Sequence, residues 1–445
     1  MPKAQASSSY RYAYLYPTFG DKPPLLALVN PAKLEETQTI ELPLLPQVRF
    51  SLHGAIPDPT GKWLLLPFTS YQSGARLHLY DPITAEMIEI AEGNFALRDV
   101  QGHPDQHIVW SPDGQFIAFS VEQALTSTSL EKGVYIYDIA NQSITQLAKD
   151  LAYFSRLAWS RDSKFLAVSI QRCPEASTWN CDYSLATFGA STGQQQLSVS
   201  LTLPESSSAG LDTLCSLDWS PDNRFISFVP FCSREPMNPP IEVYVWDTVQ
   251  GVAYPVTDFT SSVKQPPDRV YLAAYYETIW IAPDTLLIGA FWDDGITLNT
   301  RTISVQLPDK TIVEVMPEAM EAAALHPTTS DLAYRTVSTP PIDPYYLPNM
   351  ENPKLAVGTV DGTRLVNKST IATNACRLAW SPDGTMLAYT IQKELGMFGR
   401  ACSGLATGLG FMDVAIGAVA EYVIPTSSDP DQIQFPVPIG WVRVP

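Results

Sequence analysis

The chain has 445 residues and a formal net charge of −18, and 45% of its residues are hydrophobic. The acidic balance argues against a nucleic-acid partner, because phosphate binding requires clustered Lys and Arg. No stretch approaches about 18 consecutive apolar residues, so we expect no transmembrane segment, and the first residues, MPKAQASSSYRYAYLYP, lack the apolar core of a signal peptide. Abundant Pro (38) and aromatic residues (11%) favour strands and turns over helices.

Three strand-like runs open the chain. They are YRYAYLYP (Tyr10 to Pro17), PLLALVN (Pro24 to Asn30) and TIELPL (Thr39 to Leu44). Their order resembles the second, third and fourth strands of a four-stranded unit. The missing first strand occurs at the other end of the chain, in IGWVRVP (Ile439 to Pro445).

A turn followed by an apolar strand recurs seven times between these ends. The copies begin at Asp58, Ser111, Ser160, Ser220, Ala282, His326 and Ser381, with spacings of 44 to 62 residues. Trp precedes four of the turns, at Trp110, Trp159, Trp219 and Trp380. A second hairpin follows each copy, as in VYIYDIANQSITQL from Val134. A repeat of this length with four strands is typical of a β-propeller blade.

The recurring Ser-Pro-Asp-Gly sequence specifies the conformation of the turn. Pro suits the first central position of a type I turn, Asp the second, and Gly the left-handed position that follows. Asn223 can replace this Gly because Asn tolerates a positive φ, whereas Ser163 marks a degraded copy. Small residues recur in the second strand of six copies, where we expect neighbouring units to crowd together: Ala118, Ala167, Ser227, Gly289, Ala333 and Ala388.

We therefore predict one all-β domain over residues 1–445, an eight-bladed β-propeller closed by one C-terminal strand joining three N-terminal strands. Closure of this kind protects sheet edges from aggregation. Residues 1–9 are expected to be a flexible extension. A seven-bladed ring is the alternative, if the sixth copy is an insertion.

The WSPDG signature, followed by an apolar strand and a Tyr-Asp hairpin such as Tyr137-Asp138, resembles the TolB-type propeller repeat, a relative of WD repeats. The resemblance covers nearly the whole chain. It implies the fold and leaves the function open, since such propellers serve as scaffolds, peptide binders and accessory domains of peptidases. The repeat residues of that family are structural, so no catalytic residue is carried over.

The six cysteines fall into three local pairs: Cys173 with Cys181, Cys215 with Cys232, and Cys376 with Cys402. All three pairs are expected on the face opposite the Pro-Asp-Gly turns. This pattern suggests disulfides and hence an extracytoplasmic protein that is periplasmic, on the cell surface or secreted, its leader absent from this sequence. Buried free thiols, and a cytoplasmic location, are the alternative.

The long connections on the cysteine-bearing face are the predicted partner surface. They carry aromatic, Met and acidic residues on Pro-rich loops, which suit binding. The predicted surface residues are Trp179, Trp292, Asp293, Asp294, Tyr345, Tyr346, Met397 and Phe398. Packing of these aromatics onto the ends of the sheets is the alternative.

Few residues of the sequence suggest a catalytic or metal-binding role. No G-x-S-x-G nucleophile motif occurs. His103 and His107 form the closest histidine pair, with a solvated loop as the alternative to a metal site. Asp293-Asp294-Gly295 could bind Ca²⁺ but fits a simple turn better. We predict no cofactor, no metal site and no catalytic residue.

The sequence thus favours a non-catalytic binding or scaffold protein that engages a protein or extended peptide, with a glycan as a further ligand class. One alternative is a propeller enzyme, a lyase or glycan-acting hydrolase, that uses the central funnel. The other is a structural subunit of a larger surface assembly.

Overall fold

The computed structural model describes residues 9–16, 23–43, 49–50, 55–70, 74–95, 106–123, 129–149, 155–172, 182–202, 214–230, 242–257, 278–293, 298–337, 354–392, 406–425 and 437–444. Within these residues all regular secondary structure is β-strand, which confirms the all-β prediction. The same residues include no helix long and apolar enough to cross a membrane.

The strands are numbered in chain order. The first are β1 (Tyr10–Tyr16), β2 (Leu25–Val29), β3 (Gln38–Glu41), β4 (Arg49–Phe50), β5 (Ile56–Pro57), β6 (Leu64–Ser70), β7 (Gly74–Tyr80), β8 (Met87–Phe95), β9 (Ile108–Trp110), β10 (Phe116–Gln123), β11 (Gly133–Asp138) and β12 (Ser143–Lys149). Next are β13 (Leu157–Trp159), β14 (Phe165–Arg172), β15 (Asp182–Gly189), β16 (Gln195–Leu201), β17 (Leu214–Trp219), β18 (Phe225–Pro230), β19 (Tyr244–Asp247), β20 (Val252–Pro255), β21 (Thr278–Ala282), β22 (Thr285–Asp293), β23 (Leu298–Gln306) and β24 (Thr311–Met316). The last are β25 (Ala319–Leu325), β26 (Asp331–Val337), β27 (Lys354–Asp361), β28 (Arg364–Thr373), β29 (Ala375–Trp380), β30 (Met386–Ile391), β31 (Gly408–Asp413), β32 (Val419–Val423) and β33 (Val437–Arg443).

These strands form antiparallel units of similar design, which we number 1 to 8 along the chain. Unit 1 has the strand order β3-β2-β1-β33. Units 2 (β4 to β8) and 3 (β9 to β12) are joined into one nine-stranded sheet by a short pairing of β8 with β10. Units 4 to 8 are separate four-stranded sheets, β13 to β16, β17 to β20, β21 to β24, β25 to β28 and β29 to β32.

The two ends of the chain meet in unit 1. Strand β33 pairs with β1 so that Trp441 lies opposite Tyr12. The backbone N–H of Arg443 donates a hydrogen bond of 2.6 Å to the carbonyl of Gly61 in unit 2. The C-terminal strand therefore links the N-terminal strands to the next unit.

The repeated turns have the predicted backbone conformation. Gly61, Gly114 and Gly384 adopt positive φ, and Asn223 (φ 61°) and Ser163 (φ 61°) take the same left-handed conformation in their copies. The Ser that opens the turn also contributes. The Ser111 hydroxyl lies 2.6 Å from a carboxylate oxygen of Asp113 and accepts a hydrogen bond from the N–H of Phe116.

Eight clusters of buried apolar side chains fill the spaces between units. Each cluster joins two consecutive units, and one joins unit 8 to unit 1 through Met386, Phe411, Tyr12 and Trp441. The predicted small residues lie at these contacts and are fully buried, which confirms their packing role: Ala118, Ala167, Ser227, Ala333 and Ala388.

A set of indole hydrogen bonds crosses between neighbouring units. The Nε1–H of the Trp at the end of a first strand donates to a carbonyl in the preceding unit. The pairs are Trp110 to Ile56, Trp159 to Val109, Trp219 to Ala158, Trp280 to Asp218, Trp380 to Ala324 and Trp441 to Ala379, at 2.8 to 3.4 Å. In units 2 and 7 the equivalent positions hold Pro57 and Leu325, which have no side-chain donor.

Asp247, at the end of β19, is the basis of a pH-dependent prediction. Its side chain is 1% exposed and accepts hydrogen bonds from Arg224 at 2.7 Å and from the N–H groups of Val249 and Gln250. Burial alone raises the pKa of this carboxyl, but the hydrogen bonds, led by that from Arg224, outweigh burial and lower it. A lowered folded-state pKa gives stability that is present above the ordinary pKa of Asp and is lost as pH falls through the folded-state value.

We therefore expect Asp247→Asn to be less stable at pH 7, by about 1–3 kcal/mol for a buried charged acceptor. Its stability should also fall less steeply below pH 4 than that of the wild-type chain. Urea denaturation between pH 2.5 and 7 measures both effects. The control is Asp138→Asn, at the corresponding hairpin of unit 3. Parallel pH profiles for wild type and Asp247→Asn would contradict the assignment.

Candidate active site at the ends of three inner strands

The first strands of the units contact one another in succession, and we call them the inner strands. Contacts join β9 to β13, β13 to β17, β17 to β21, β21 to β25, β25 to β29 and β33 to β5. A group of polar side chains lies directly before β9 and β13, at the end opposite the Pro-Asp-Gly turns. These residues, Gln106, His107, Ser155 and Arg156, are called here the polar cluster.

Hydrogen bonds hold the polar cluster across units 3, 4 and 5. The Nδ1–H of His107 donates to the carbonyl of Ser155 at 3.0 Å. The Nε–H of Arg156 donates to the carbonyl of Leu214 at 3.1 Å. The backbone N–H of Arg156 donates to the Ser169 hydroxyl at 2.7 Å. The imidazole and the guanidinium thus each contact the next unit along the chain.

Burial sets the electrostatics of the polar cluster. His107 is 6% exposed and Arg156 is 8% exposed. Burial, followed by repulsion from the Arg156 guanidinium, lowers the pKa of His107 to about 3. The imidazole is therefore neutral at physiological pH. Because Nδ1 carries the proton, Nε2 has the lone pair that can accept one.

Two further groups complete the polar cluster. The Ser155 hydroxyl is buried and has no hydrogen-bond partner among the described residues. The side-chain amide of Gln106 makes two hydrogen bonds to the backbone of Leu217, donating to its carbonyl at 2.8 Å and accepting from its N–H at 3.1 Å. This clamp fixes β17 against the residues that precede β9. A buried base beside a fixed cation, with an unpaired hydroxyl nearby, is an arrangement suited to proton transfer.

Of the predicted histidine pair, His103 and His107, the structure describes only His107. His103 lies outside the described residues. His107 is buried, so the solvated-loop alternative is wrong for this residue. No group of three or more potential metal ligands occurs in the described parts of the chain.

The predicted partner surface is not assembled by the described residues. Trp292 and Asp293 end strand β22, opposite Asn299 and Leu298 of β23. The other members lie outside the described residues: Trp179, Asp294, Tyr345, Tyr346, Met397 and Phe398. The surface, and the calcium alternative at Asp293-Asp294-Gly295, therefore stay predictions.

The cysteine pairs also stay predictions. Cys215 lies in β17 and Cys376 in β29, and Cys376 is 5% exposed. Cys173, Cys181, Cys232 and Cys402 lie outside the described residues. No free cysteine occurs among the described residues, and no disulfide joins two of them.

Sequence reasoning missed Gln106, Ser155 and Arg156. Their signal is weak, since each is a single polar residue just before a short apolar strand. A comparison of the copies shows polar residues before the Trp-bearing strands, but it does not single out Arg156, because Arg377 occupies the equivalent position in unit 8. Their burial follows from neighbouring units, which the pattern of one unit does not reveal.

Comparison with known proteins places the chain by fold. No protein-family model matches it, and no curated protein matches it in sequence. Dipeptidyl peptidase 4 of Porphyromonas gingivalis matches with a TM-score of 0.52 and 10% identity, over 93% of this chain and 59% of that one. A prolyl endopeptidase matches with a TM-score of 0.49 and 12% identity, over 84% and 50% of the two chains. Oligogalacturonate lyase of Vibrio parahaemolyticus matches with a TM-score of 0.49 and 11% identity, over 86% and 94%.

The likeness to the dipeptidyl peptidase, which among these three has the TM-score above 0.5, supports a β-propeller fold for this all-β chain. The chain spans about half the length of the prolyl endopeptidase and 59% of the dipeptidyl peptidase. The prediction of a non-catalytic scaffold is wrong on this comparison, because the matching structure with a TM-score above 0.5 is that of a peptidase. Identities of 10–12% assign none of their reactions to this chain.

Proposed function

We propose that this chain is a propeller enzyme, a lyase that acts on an acidic glycan at the polar cluster. The observation that carries the proposal is the neutral, buried imidazole of His107 beside the buried guanidinium of Arg156. Perturbed pKa values of this kind concentrate at catalytic sites.

The residue types favour elimination over hydrolysis. Glycoside hydrolysis uses a pair of carboxyl groups about 5–10 Å apart, and none of the four cluster residues is acidic. Elimination beside a carboxylate needs a base for the carbon-bound proton and a cation for the negative charge that develops on the carboxylate. His107 and Arg156 supply these two groups.

In the proposed step, Arg156 binds the carboxylate of a uronate residue, and Nε2 of His107 takes the proton from the adjacent carbon. The C–H electron pair forms a carbon–carbon double bond, and the bond from the next carbon to the glycosidic oxygen breaks with its electrons on that oxygen. The bound carboxylate offsets the repulsion between Arg156 and His107, which raises the basicity of the imidazole when substrate is present.

The architecture we propose for this enzyme is a single-domain, eight-bladed propeller of the TolB type. The pairing of β33 with β1 and the apolar cluster between units 8 and 1 support closure of the ring. The polar cluster would then lie at one end of the axial channel. An extracytoplasmic location is part of the proposal and rests on the six cysteines.

The test is an ultraviolet assay for the new double bond with pectate, alginate and hyaluronan as substrates. We expect the wild-type chain to cleave one of them and His107→Gln to lose about 10²–10⁴-fold in rate, the usual contribution of a general base. His78→Gln, a buried histidine of β7, is the matched control and should keep full activity. Absence of product from all three glycans, or full activity of His107→Gln, would contradict the proposal.

A further inference from the structure

The hydrogen bonds of the polar cluster form a closed triangle among units 3, 4 and 5. Each side of the triangle joins a side chain of one unit to the backbone of another, at distances of 2.8 to 3.1 Å. The sides are His107 to Ser155, Arg156 to Leu214 and Gln106 to Leu217. Chain connectivity supplies two corners, because Gln106 precedes His107 and Arg156 follows Ser155. The third corner is β17, which contains both Leu214 and Leu217.

The side formed by Gln106 differs from the other two, because it joins units that are not consecutive. Gln106 lies directly before β9 in unit 3, and its side-chain amide binds β17, which belongs to unit 5. The backbone carbonyl of Gln106 accepts the N–H of Leu157, in unit 4, at 2.8 Å. Gln106 therefore holds unit 4 with its backbone and unit 5 with its side chain.

An irregularity in β17 explains why Leu217 is bound in this way. The pairing of β17 with β18 shifts register between Cys215 and Asp218, and the register assigns no residue of β18 to Leu217. Leu217 is 1% exposed, and a buried peptide group that lacks a hydrogen bond is costly. The amide of Gln106 has both a donor and an acceptor, and these match the carbonyl and the N–H of Leu217.

The triangle matters for the proposed reaction because the base and the cation belong to different units. His107 must reach the carbon-bound proton while Arg156 holds the adjacent carboxylate. With two sides alone, units 3 and 5 could each rotate about their contact with unit 4, and the distance between the two side chains would vary. The third side removes this freedom. Displacement of a catalytic group by about 1 Å can lower a rate by about 10²-fold.

We infer that Gln106 is a positioning residue of the proposed lyase site and that it acts by closing this triangle. The inference rests on the proposed function. Gln106 acts through its neighbours: its backbone places His107, and its amide fixes the strand whose Leu214 carbonyl orients the guanidinium of Arg156.

The first test observes the triangle without substrate, by NMR of the full chain labelled with nitrogen-15 histidine. In the wild type we expect a slowly exchanging Nδ1–H signal of His107, assigned by its absence in His107→Gln. Gln106→Met keeps the size of the side chain and removes both hydrogen bonds to Leu217. We expect it to speed exchange of the His107 Nδ1–H at least about tenfold, because the opened triangle admits water. The Nε2–H of His326, which donates to the Gly384 carbonyl at 2.8 Å, is the internal control and should not change.

Gln146→Met is the matched control variant. Gln146 is also a half-buried glutamine of unit 3, but its amide donates to the hydroxyl of Tyr135 in the same unit, at 2.8 Å. This variant should leave the exchange of the His107 signal as it is in the wild type. Equal exchange of the His107 Nδ1–H in wild type and Gln106→Met would overturn the inference, because the triangle would then not depend on its third side.

The second test separates positioning from binding, on a glycan that the wild type cleaves. We expect Gln106→Met to lose about 10²-fold in kcat, because the base and the cation are no longer held in register. KM should change by less than about threefold, because Arg156 is still present to bind the carboxylate. Gln146→Met should match the wild type in both constants.

The outcomes distinguish this inference from the proposed function. If Gln106→Met keeps the wild-type kcat while His107→Gln is inactive, the positioning role fails and the lyase stands. If the wild type cleaves none of the three glycans, the lyase fails, and the positioning role fails with it, whatever the NMR exchange shows.

Discussion

Gly289→Ala should lose at least about 4 kcal/mol of unfolding free energy, among the largest effects of a single methyl group in this chain. A Cβ atom at Gly289 would lie 1.8 Å from the carbonyl oxygen of Met320 and 2.7 Å from its carbonyl carbon. The obstacle is backbone, so no side chain can rotate away. To admit the methyl group, β22 of unit 6 and β25 of unit 7 would have to separate and expose a buried apolar contact.

Urea denaturation of Gly289→Ala measures this loss. Gly251→Ala is the matched control, because Gly251 has a positive φ of 72° but no atom within 4 Å of the position that a Cβ would take. That variant carries only the backbone cost of the left-handed conformation, about 1–2 kcal/mol. If Gly289→Ala were no less stable than Gly251→Ala, the close contact between units 6 and 7 would be wrong.

Removal of residues 437–445 should abolish the cooperative unfolding transition of the monomer. The truncation deletes β33 and leaves β1 as an open sheet edge. It also removes Trp441, which is 4% exposed, packs against Tyr12 with ring centroids 5.5 Å apart and donates to the Ala379 carbonyl. An exposed edge strand of this kind promotes association with other chains.

Size-exclusion chromatography and thermal denaturation of the truncated chain test this expectation. Trp441→Phe is the milder comparison, since it removes the indole hydrogen bond and some buried surface while keeping the strand. It should cost about 1–3 kcal/mol and leave a cooperative transition. A monomeric truncated chain that unfolds cooperatively at the wild-type temperature would contradict closure through β33.

The strands and turns were predictable from sequence because each depends on nearby residues. The Pro-Asp-Gly turns follow from positive φ at the fourth position, and Asn223 satisfies that requirement as predicted. The pairing of the chain ends was also predictable. Tyr10–Tyr16 reads as a second strand without a first, and the Trp at position 441 matches the Trp of complete copies.

The polar cluster was not predictable from the sequence, and one repeated pentapeptide shows the reason. The pentapeptide Arg-Leu-Ala-Trp-Ser occurs at Arg156 and again at Arg377. Arg156 is buried, whereas Arg377 is exposed in a strand whose register shifts between Cys376 and Leu378. The difference arises from the local register shift and from contacts with the adjacent unit. The same pentapeptide therefore has a buried Arg in one unit and an exposed Arg in another.

The residues that the sequence pattern singles out are of a different class from those in the polar cluster. Trp292 and Tyr345 stand out because aromatic residues on long connections are typical of partner surfaces. The sequence indicates a loop at His107, because a spacing of four residues between His103 and His107 brings the two side chains together only in a helix. Its burial depends on Ser155 and Arg156, about fifty residues away along the chain. Contacts between repeats are set by three-dimensional packing and leave little trace in a single sequence.

The indole hydrogen bonds connect the units into two separate series. Among the described residues they link units 2 to 6 in one series and units 7, 8 and 1 in another, and Pro57 and Leu325 mark the two interruptions. Other hydrogen bonds join the units at these two interruptions, from the N–H of Arg443 to the carbonyl of Gly61 between units 1 and 2, and from the N–H of Met320 to the Thr302 hydroxyl between units 6 and 7. His107 and Arg156 both belong to the series of units 2 to 6, in which every pair of consecutive units shares an indole hydrogen bond, so we expect these bonds to preserve the spacing of the two side chains.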